Sequence, residues 1–256
     1  MKHVAALVLV ASVLLAMLVG YEMAGAFLQR TDGGPVLFNS NEPAPSPEPI
    51  SFVRMPLPAV SRSGVGALAV LELRLTNGEG NVYYQFDERN PLTNPDTQYS
   101  LRTALDVGKQ LSGVSAISSY DLYFSLSADS EVVGGESAGA AMAVGTLALF
   151  RGESLRDDVL ITGSVSPDGS IGRVGRILEK ALVARESGFS EILVPVGEKL
   201  QPQNKQVCQN EVIDDTYYQT CTTQRVVIDV ASETGMKVTE VSDVLEAYRL
   251  MVVEKG

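Results

Sequence analysis

An uninterrupted apolar segment at the N-terminus limits how much of this 256-residue chain can form a globular core. Residues 4–20 (VAALVLVASVLLAMLVG) carry no charge, and as a helix they span about 26 Å at roughly 1.5 Å per residue. This length is at the short end for a membrane span and exceeds most signal-peptide cores. A core helix is a poor alternative, because the segment is apolar all round and stands at the extreme N-terminus. We therefore expect residues 1–28 to be a transmembrane signal anchor or a cleaved signal peptide, and the length favours the anchor.

The residues around this segment predict where the rest of the chain lies. Lys2 supplies a positive flank, and if it stays inside, the following residues lie outside the cytoplasm. The small-x-small pattern at residues 24–26 would suit signal cleavage. Residues 42–49 (EPAPSPEP) have proline at every second position, as in an extended linker. The sequence thus predicts a Pro-rich linker over residues 29–51 and one extracytoplasmic domain over residues 52–256, on a single-pass anchor.

Within residues 52–256, short apolar runs alternate with helical patterns, which predicts an α+β or mixed α/β domain. The expected strands cover residues 65–75, 81–87, 121–128, 159–165, 191–196, 226–230 and 237–241. The expected helices cover residues 100–111, 138–150, 173–187 and 242–253, with Ser100 as the N-cap of the first. The turn-rich sequence TNGEG at residues 76–80 predicts a hairpin between the first two strands.

The two cysteines lie in a polar excursion, residues 198–225, that has few apolar anchors. In an extracytoplasmic protein, Cys208 and Cys221 are expected to form one disulfide, which would add roughly 3 kcal/mol of stability in the chain-entropy model. The alternative is a pair of free thiols.

The single histidine, His3, lies in the N-terminal tail and excludes several classes of site. A Ser-His-Asp triad or a Cys-His pair needs a histidine inside the fold. Zinc sites draw on cysteine and histidine, so we expect neither a metal nor another cofactor. The net charge of −11 argues against a nucleic-acid partner, which requires a basic surface. Acid–base chemistry would fall to lysine, acidic residues, tyrosine or the backbone.

Ser137 follows two glycines and Glu136 at the start of a predicted small-residue helix. Free N–H groups and the helix dipole at this position favour both a serine nucleophile and an oxyanion. The alternative is an ordinary serine N-cap.

A serine nucleophile needs a base, and Lys180 is the lysine best placed to serve as one. Its helical neighbours Ile177, Val183 and Ala184 are apolar, so the amine would be desolvated and its pKa lowered. The alternatives are a lysine whose stem covers apolar surface and a surface ion pair of Glu179 and Arg176.

Thr162, at the end of a buried strand, is a candidate to orient that amine. The alternative is a strand threonine whose hydroxyl bonds locally.

The residues from 134 to 197 resemble the proteolytic domain of the Lon family of serine peptidases. The resemblance runs from about residue 65 to residue 250 and rests on several ordered motifs. Ser137 matches the serine of a G-x-S-A-G-type segment, and Lys180 matches the lysine of a G-G-x-x-x-K-type helix. Thr162 matches the family's supporting threonine. The resemblance implies a Ser-Lys dyad that cleaves peptide bonds.

Four departures from the family pattern shape the expected function. Glu136 stands where bacterial members often have proline, Val174 and Gly175 replace the glycine pair before the lysine helix, and residues 198–225 look like an insertion. The chain has no G-x-x-x-x-G-K-[ST] segment for ATP.

We therefore expect an ATP-independent, membrane-anchored serine endopeptidase acting on unfolded or extended polypeptides. By analogy with the family's rings, a homo-oligomer is expected. The rival hypothesis is a non-catalytic, membrane-tethered binding or assembly module.

Overall fold

The computed structural model describes residues 49–61, 64–86, 92–93, 95–115, 117–128, 132–133, 135–213 and 216–253. The chain divides into two units, Met1–Ser46 and Pro47–Gly256, and every described residue belongs to the second. The predicted anchor or signal peptide and nearly all of the predicted linker therefore lie outside the described residues. Among the residues that are described, no helix has the length and apolarity needed to cross a membrane.

The described residues form a mixed α/β domain, as predicted. The strands are β1 (Ser51–Val60), β2 (Gly66–Asn77), β3 (Val82–Phe86), β4 (Leu92–Thr93), β5 (Tyr120–Ser127), β6 (Val132–Val133), β7 (Val159–Ile161), β8 (Ser164–Val165), β9 (Ile171–Gly172), β10 (Glu191–Pro195), β11 (Leu200–Ile213), β12 (Thr216–Asp229) and β13 (Lys237–Val241). The helices are α1 (Pro95–Ser112), α2 (Gly139–Arg151), α3 (Ile177–Glu186), α4 (Val230–Thr234) and α5 (Val244–Met251), with short 3-10 turns at Ile117–Ser119 and Glu136–Ala138.

The largest sheet has the order β1-β2-β5-β3 and contains one strand that the sequence did not reveal. β1 pairs antiparallel with β2 over ten residues, from Ser51 opposite Leu75 to Val60 opposite Gly66. Pro56 and Pro58 hide this strand, because proline disfavours strand assignments. Their two-residue spacing leaves both missing N–H groups on one side, and β1 lies at the sheet edge, where this is tolerated.

The predicted hairpin between β2 and β3 is wrong, because β5 lies between these two strands. β5 pairs antiparallel with β2 and parallel with β3. The link that crosses β5 is held by the Asp121 carboxylate, whose Oδ1 accepts hydrogen bonds from the N–H groups of Glu79 (2.9 Å) and Asn81 (2.8 Å). Any side chain at Gly78 would collide with this carboxylate.

Helix α2 lies against the inner face of this sheet and forms the centre of the main core. All its residues from Gly139 to Leu149 are buried. Gly145 allows close contact with Leu73 of β2 and Met55 of β1. Helix α1 packs against α2 and begins at Pro95, five residues before the predicted start, so that Ser100 lies inside the helix and is not its N-cap.

A second, parallel sheet has the order β13-β10-β7, and α3 packs against it through an apolar cluster. The predicted strand over residues 159–165 is interrupted, so that β7 ends at Ile161 and β8 begins at Ser164. The predicted helix over residues 173–187 begins later, at Ile177. The last helix is capped by Asp243, whose carboxylate accepts from the N–H of Glu246 at 2.9 Å.

The polar excursion is a long two-stranded antiparallel hairpin, which we call the ribbon (Leu200–Asp229). β11 and β12 pair continuously, and Cys208 lies directly opposite Cys221. These two cysteines form the predicted disulfide, and their Cα atoms are 4.0 Å apart. The strand predicted at residues 226–230 is the end of β12.

Candidate active site

Ser137 lies in the 3-10 turn Glu136–Ala138, directly before α2. The N-cap position of α2 falls on Ala138, so the interpretation of Ser137 as that helix's capping residue is wrong. Two backbone hydrogen bonds join this turn and the first residues of α2 to Gly163, just after β7. The N–H of Gly163 donates to the Ser137 carbonyl at 2.9 Å, and the N–H of Ala140 donates to the Gly163 carbonyl at 2.9 Å.

Glycine is required where the serine turn and the residues after β7 approach each other closely. A side chain at Gly163 would press on Ile171, and one at Gly139 would press on the Ser100 hydroxyl and on Val165. Gly135, just before the turn, has φ 111°, a conformation that L side chains rarely adopt. The small residues around Ser137 thus let the turn lie directly on the second sheet's edge. Gly134, the other glycine of the pair, lies outside the described residues.

Lys180 is buried on the inner face of α3, with 4% of its surface exposed. Its Nζ donates a hydrogen bond to the Thr162 Oγ1 at 2.9 Å. Burial lowers the pKa of the Lys180 amine from 10.5 to about 8, and the Glu179 carboxylate opposes this effect only in part. The alternative of a lysine whose stem covers apolar surface while its amine stays in water is therefore wrong, because Lys180 is buried. Glu179 and Arg176 do form the surface ion pair, at 3.6 Å.

The Thr162 hydroxyl connects the lysine and serine segments. Thr162 is fully buried at the end of β7, where its N–H donates to the Leu193 carbonyl of β10. Its Oγ1 accepts from Lys180 and donates to the Ser137 carbonyl at 3.2 Å. The alternative of a locally bonded hydroxyl is wrong, because both partners lie on other elements. The structure thus brings Ser137, Thr162 and Lys180 together around one hydroxyl group.

The entry into α3 contains the only non-glycine residue with positive φ among those described, Arg176 (φ 62°). In the G-G-x-x-x-K spacing, counting back from Lys180 places the glycine pair on Gly175 and Arg176. The departure that the sequence assigned to Val174 therefore belongs to Arg176. The Arg176 carbonyl accepts the hydrogen bond from the Lys180 N–H at 3.1 Å, so this left-handed residue opens the first turn of the lysine helix.

A cavity that the sequence did not reveal lies between α1, α2 and the main sheet. Its volume is about 300 Å³. Thr97 on its wall reaches the Gly135 carbonyl at 3.5 Å, next to the serine turn. Met142 of α2, the helix that follows the serine turn, also lines the cavity. The lining residues are Leu71, Tyr84, Gln85, Thr97, Gln98, Leu101, Arg102, Phe124, Ser125, Leu126 and Met142. In the sequence, the helical spacing of Thr97 and Leu101 was the one pattern that could have indicated a shared wall of this cavity.

Glu136 is exposed, and its carbonyl lies 3.4 Å from the buried Ser100 hydroxyl.

In the described part of the chain, no group of three or more His, Cys, Asp or Glu residues is arranged to hold a metal ion.

Comparison with known protein families decides what this arrangement belongs to. The sequence profile of the Lon protease (S16) C-terminal proteolytic domain matches residues 116–233. This chain contains a Lon-family proteolytic domain. The match covers the serine turn, Thr162, Lys180 and the ribbon, and it confirms the resemblance and the serine peptidase class.

Individual relatives of the Lon domain agree with this assignment. Lon protease 1 of Herpetosiphon aurantiacus is 38% identical over 76 residues, which is 30% of this chain and 9% of that protein. Lon protease 2 of Syntrophobacter fumaroxidans is 40% identical over 75 residues, 29% of this chain and 10% of that protein. The mitochondrial Lon protease homolog of Drosophila melanogaster is 38% identical over 65 residues, 25% of this chain and 6% of that protein. The chain thus matches about a tenth or less of these relatives' lengths.

Proposed function

We propose that this Lon domain is an ATP-independent serine endopeptidase in which Ser137 is the nucleophile and Lys180 is the general base. The observation that carries the proposal is the buried Lys180 amine, held by the Thr162 hydroxyl that also bonds the Ser137 carbonyl. With a pKa of about 8, roughly a tenth of the amine is neutral at pH 7. A neutral amine can accept the serine proton, whereas an ordinary surface lysine remains charged.

In this mechanism, the Lys180 Nζ takes the proton from the Ser137 Oγ as that oxygen attacks the scissile carbonyl carbon. The protonated amine then gives the proton to the leaving amine of the substrate, and water hydrolyses the acyl-enzyme in a second, similar cycle. The N–H groups of Gly139 and Ala140 are already used by the carbonyls of Glu136 and Gly163. We assign the developing oxyanion to backbone N–H groups around Ser137.

The substrates we propose are unfolded or extended polypeptides. These 256 residues contain no G-x-x-x-x-G-K-[ST] segment for ATP, whose hydrolysis would power unfolding. The apolar floor of the cavity beside the serine turn suits a substrate side chain held there while the substrate backbone lies extended.

We further propose that residues 4–20 anchor the domain to a membrane with the Lon domain outside the cytoplasm. The uncharged segment after Lys2 supports the anchor, and the Cys208–Cys221 disulfide fits an oxidising compartment. Homo-oligomerisation is proposed by analogy with the family. A protease-protection assay on intact cells tests the orientation, because an extracytoplasmic domain is digested without membrane disruption and a cytoplasmic one is not.

The experiment that tests the peptidase proposal compares wild type with Ser137→Ala and Lys180→Ala on a fluorogenic unfolded protein without nucleotide. Ser187→Ala and Lys109→Ala are the matched controls, since both lie away from the Thr162 hydroxyl. We expect hydrolysis by wild type and both controls, and a loss of about 10³-fold in each dyad variant. Hydrolysis that survives both dyad substitutions, or a wild-type domain that neither cleaves nor reacts with a serine-directed phosphonate, would support the rival non-catalytic module.

A further inference from the structure

The ribbon has open edges along most of its length. Within the described residues, β11 and β12 pair only with each other, in an unbroken register from Leu200 opposite Asp229 to Ile213 opposite Thr216. Residues 208–211 and 217–225 are exposed. A long, regular strand edge presents a row of backbone groups to any second strand, and proteins usually protect such edges with bulges, prolines or charged side chains. The register of this hairpin has no bulge.

The charges of β11 are complementary to those of a second copy of the same strand. Lys205 and Glu211 are the only charged residues in β11, and both are exposed. If two β11 strands pair antiparallel about a two-fold axis at Cys208, Lys205 of each copy lies opposite Glu211 of the other. Residues directly opposite share a face of the sheet, so the two ion pairs can form. Parallel pairing in register would instead place lysine against lysine and glutamate against glutamate.

The same register accommodates the other notable residues of the strand. It overlaps the two strands from Gln203 to Ile213, which leaves Pro202 outside the pairing. This is required, because proline has no N–H to donate to a ladder. Gln206 lies opposite Asn210, so two amide side chains that can bond each other also meet. The ribbon bases point in opposite directions about the axis, which separates the two domains.

The edge formed by β12 has no equivalent pair of complementary charges along its length. Its only charged residues are Arg225 and Asp229, near the base of the ribbon. Asp229 is already used as the N-cap of α4, where its carboxylate accepts from the Ser232 N–H at 3.0 Å. Two β12 strands paired antiparallel through these charges would overlap only at the base of the ribbon.

We propose that the β11 edge is an interface between two copies of this chain, which together form a four-stranded antiparallel sheet β12-β11-β11-β12. Exposed cross-strand ion pairs are weak, so Lys205 and Glu211 select the register while the backbone hydrogen bonds hold the strands. A lone two-stranded hairpin is marginally stable, and two additional strands stabilise it. This interface is independent of the proposed peptidase chemistry.

Zero-length carbodiimide crosslinking of the full chain in detergent micelles tests the register. Unlabelled and ¹⁵N-labelled copies are mixed, crosslinked and digested. Within one β11 strand, Lys205 and Glu211 are about 20 Å apart, because they are separated by six residues at about 3.4 Å each. A zero-length link between them can therefore form only between copies. We expect a Lys205–Glu211 peptide pair that contains one light and one heavy partner. If other intercopy links form and this pair is absent, the proposed register is wrong.

Charge exchange tests whether the pair matters for association. Lys205→Glu and Glu211→Lys each create two like-charge contacts in the proposed interface, and we expect the dimer dissociation constant from mass photometry to rise at least tenfold. The double variant restores both pairs and is expected to return within about threefold of wild type. Arg225→Glu, on the opposite strand, is the matched charge reversal and should leave association unchanged. Single variants that associate like wild type, or a double variant no better than either single one, would overturn the proposal.

Discussion

The serine–lysine site and the ribbon are held in place in opposite ways. Ser137, Thr162 and Lys180 come from three separate elements and are positioned by packing around a buried hydroxyl. The ribbon is largely exposed and polar, and it is held by its own backbone ladder and one disulfide. The difference shows that burial is what lowers the pKa of the lysine amine, whereas the ribbon keeps its shape by covalent closure with little core of its own.

The two regions also affect stability with opposite signs. A lysine whose pKa falls from 10.5 to about 8 on folding lowers the free energy of unfolding by about 3 kcal/mol at neutral pH. The disulfide closes a loop between residues 208 and 221 and adds about 3 kcal/mol in the chain-entropy model. Substitutions in each region separate these two contributions.

The largest expected effect comes from Lys180→Met, which keeps the side-chain volume and removes the amine. We expect peptidase activity to fall about 10³-fold, because the proposed general base is lost. The free energy of unfolding should rise by up to about 3 kcal/mol below pH 8. In wild type, water solvates the charged amine in the unfolded state and burial disfavours it in the folded state, and methionine removes this difference. This gain should shrink between about pH 8 and pH 10.5, where the folded-state lysine has already lost its proton. Urea denaturation at several pH values measures it, and an unchanged or lower stability at pH 7 would contradict the account.

Removal of the disulfide should affect only the ribbon. In the Cys208→Ser/Cys221→Ser variant, we expect the amides of β11 and β12 to exchange with solvent about 100-fold faster, corresponding to the lost 3 kcal/mol. The amides of α2 and β10 should keep their protection, and hydrolysis should change by less than about twofold. Hydrogen exchange with mass spectrometry measures this. A global loss of protection would show that the ribbon is part of the cooperative core.

Thr162→Val should lower activity about tenfold while preserving the fold. The substitution keeps the shape and removes the hydroxyl that accepts from Lys180, a hydrogen bond worth about 1 kcal/mol. The amine is then less well positioned, so kcat should fall and KM should change little. Thr162→Ser restores the hydroxyl and should recover most of the rate. Equal activity in the valine and serine variants would contradict a positioning role for this hydroxyl.

The smallest effect is expected at Arg176, which opens the lysine helix with a positive φ. Glycine adopts this conformation without a steric penalty, whereas alanine does not. Arg176→Gly should therefore be more stable than Arg176→Ala by about 1 kcal/mol in urea denaturation. Both variants lose the exposed ion pair with Glu179, so the comparison isolates the backbone. Equal midpoints would mean that the left-handed geometry is not maintained in solution.

The sequence predicted best where burial and local pattern agree. β5, β10, β13 and α2 lie close to their predicted bounds because each has a clear apolar pattern and a turn or cap at its ends. The position of Lys180 was predictable for the same reason, since apolar neighbours one turn away imply desolvation. The disulfide followed from having only two cysteines in one polar segment.

The sequence failed where long-range pairing decides the structure. Nothing local indicates that β5 inserts between β2 and β3, so the turn-rich link was interpreted as a hairpin. The earlier start of α1 had a signal, because Pro95 suits the first turn of a helix. The ribbon lacks apolar alternation, which is why its polar strands were predicted only near the base. The junction between Thr162 and the Ser137 carbonyl depends on chain packing that no short motif encodes.

The pH dependence of kcat/KM for an uncharged fluorogenic peptide tests the central claim most directly. If the buried Lys180 amine is the general base, the rate rises with pH through an apparent pKa of about 8 and reaches a plateau above it, because the neutral amine is the active form. A rate that stays constant from pH 6 to pH 10, or that rises only near the ordinary lysine value of 10.5, would contradict the account.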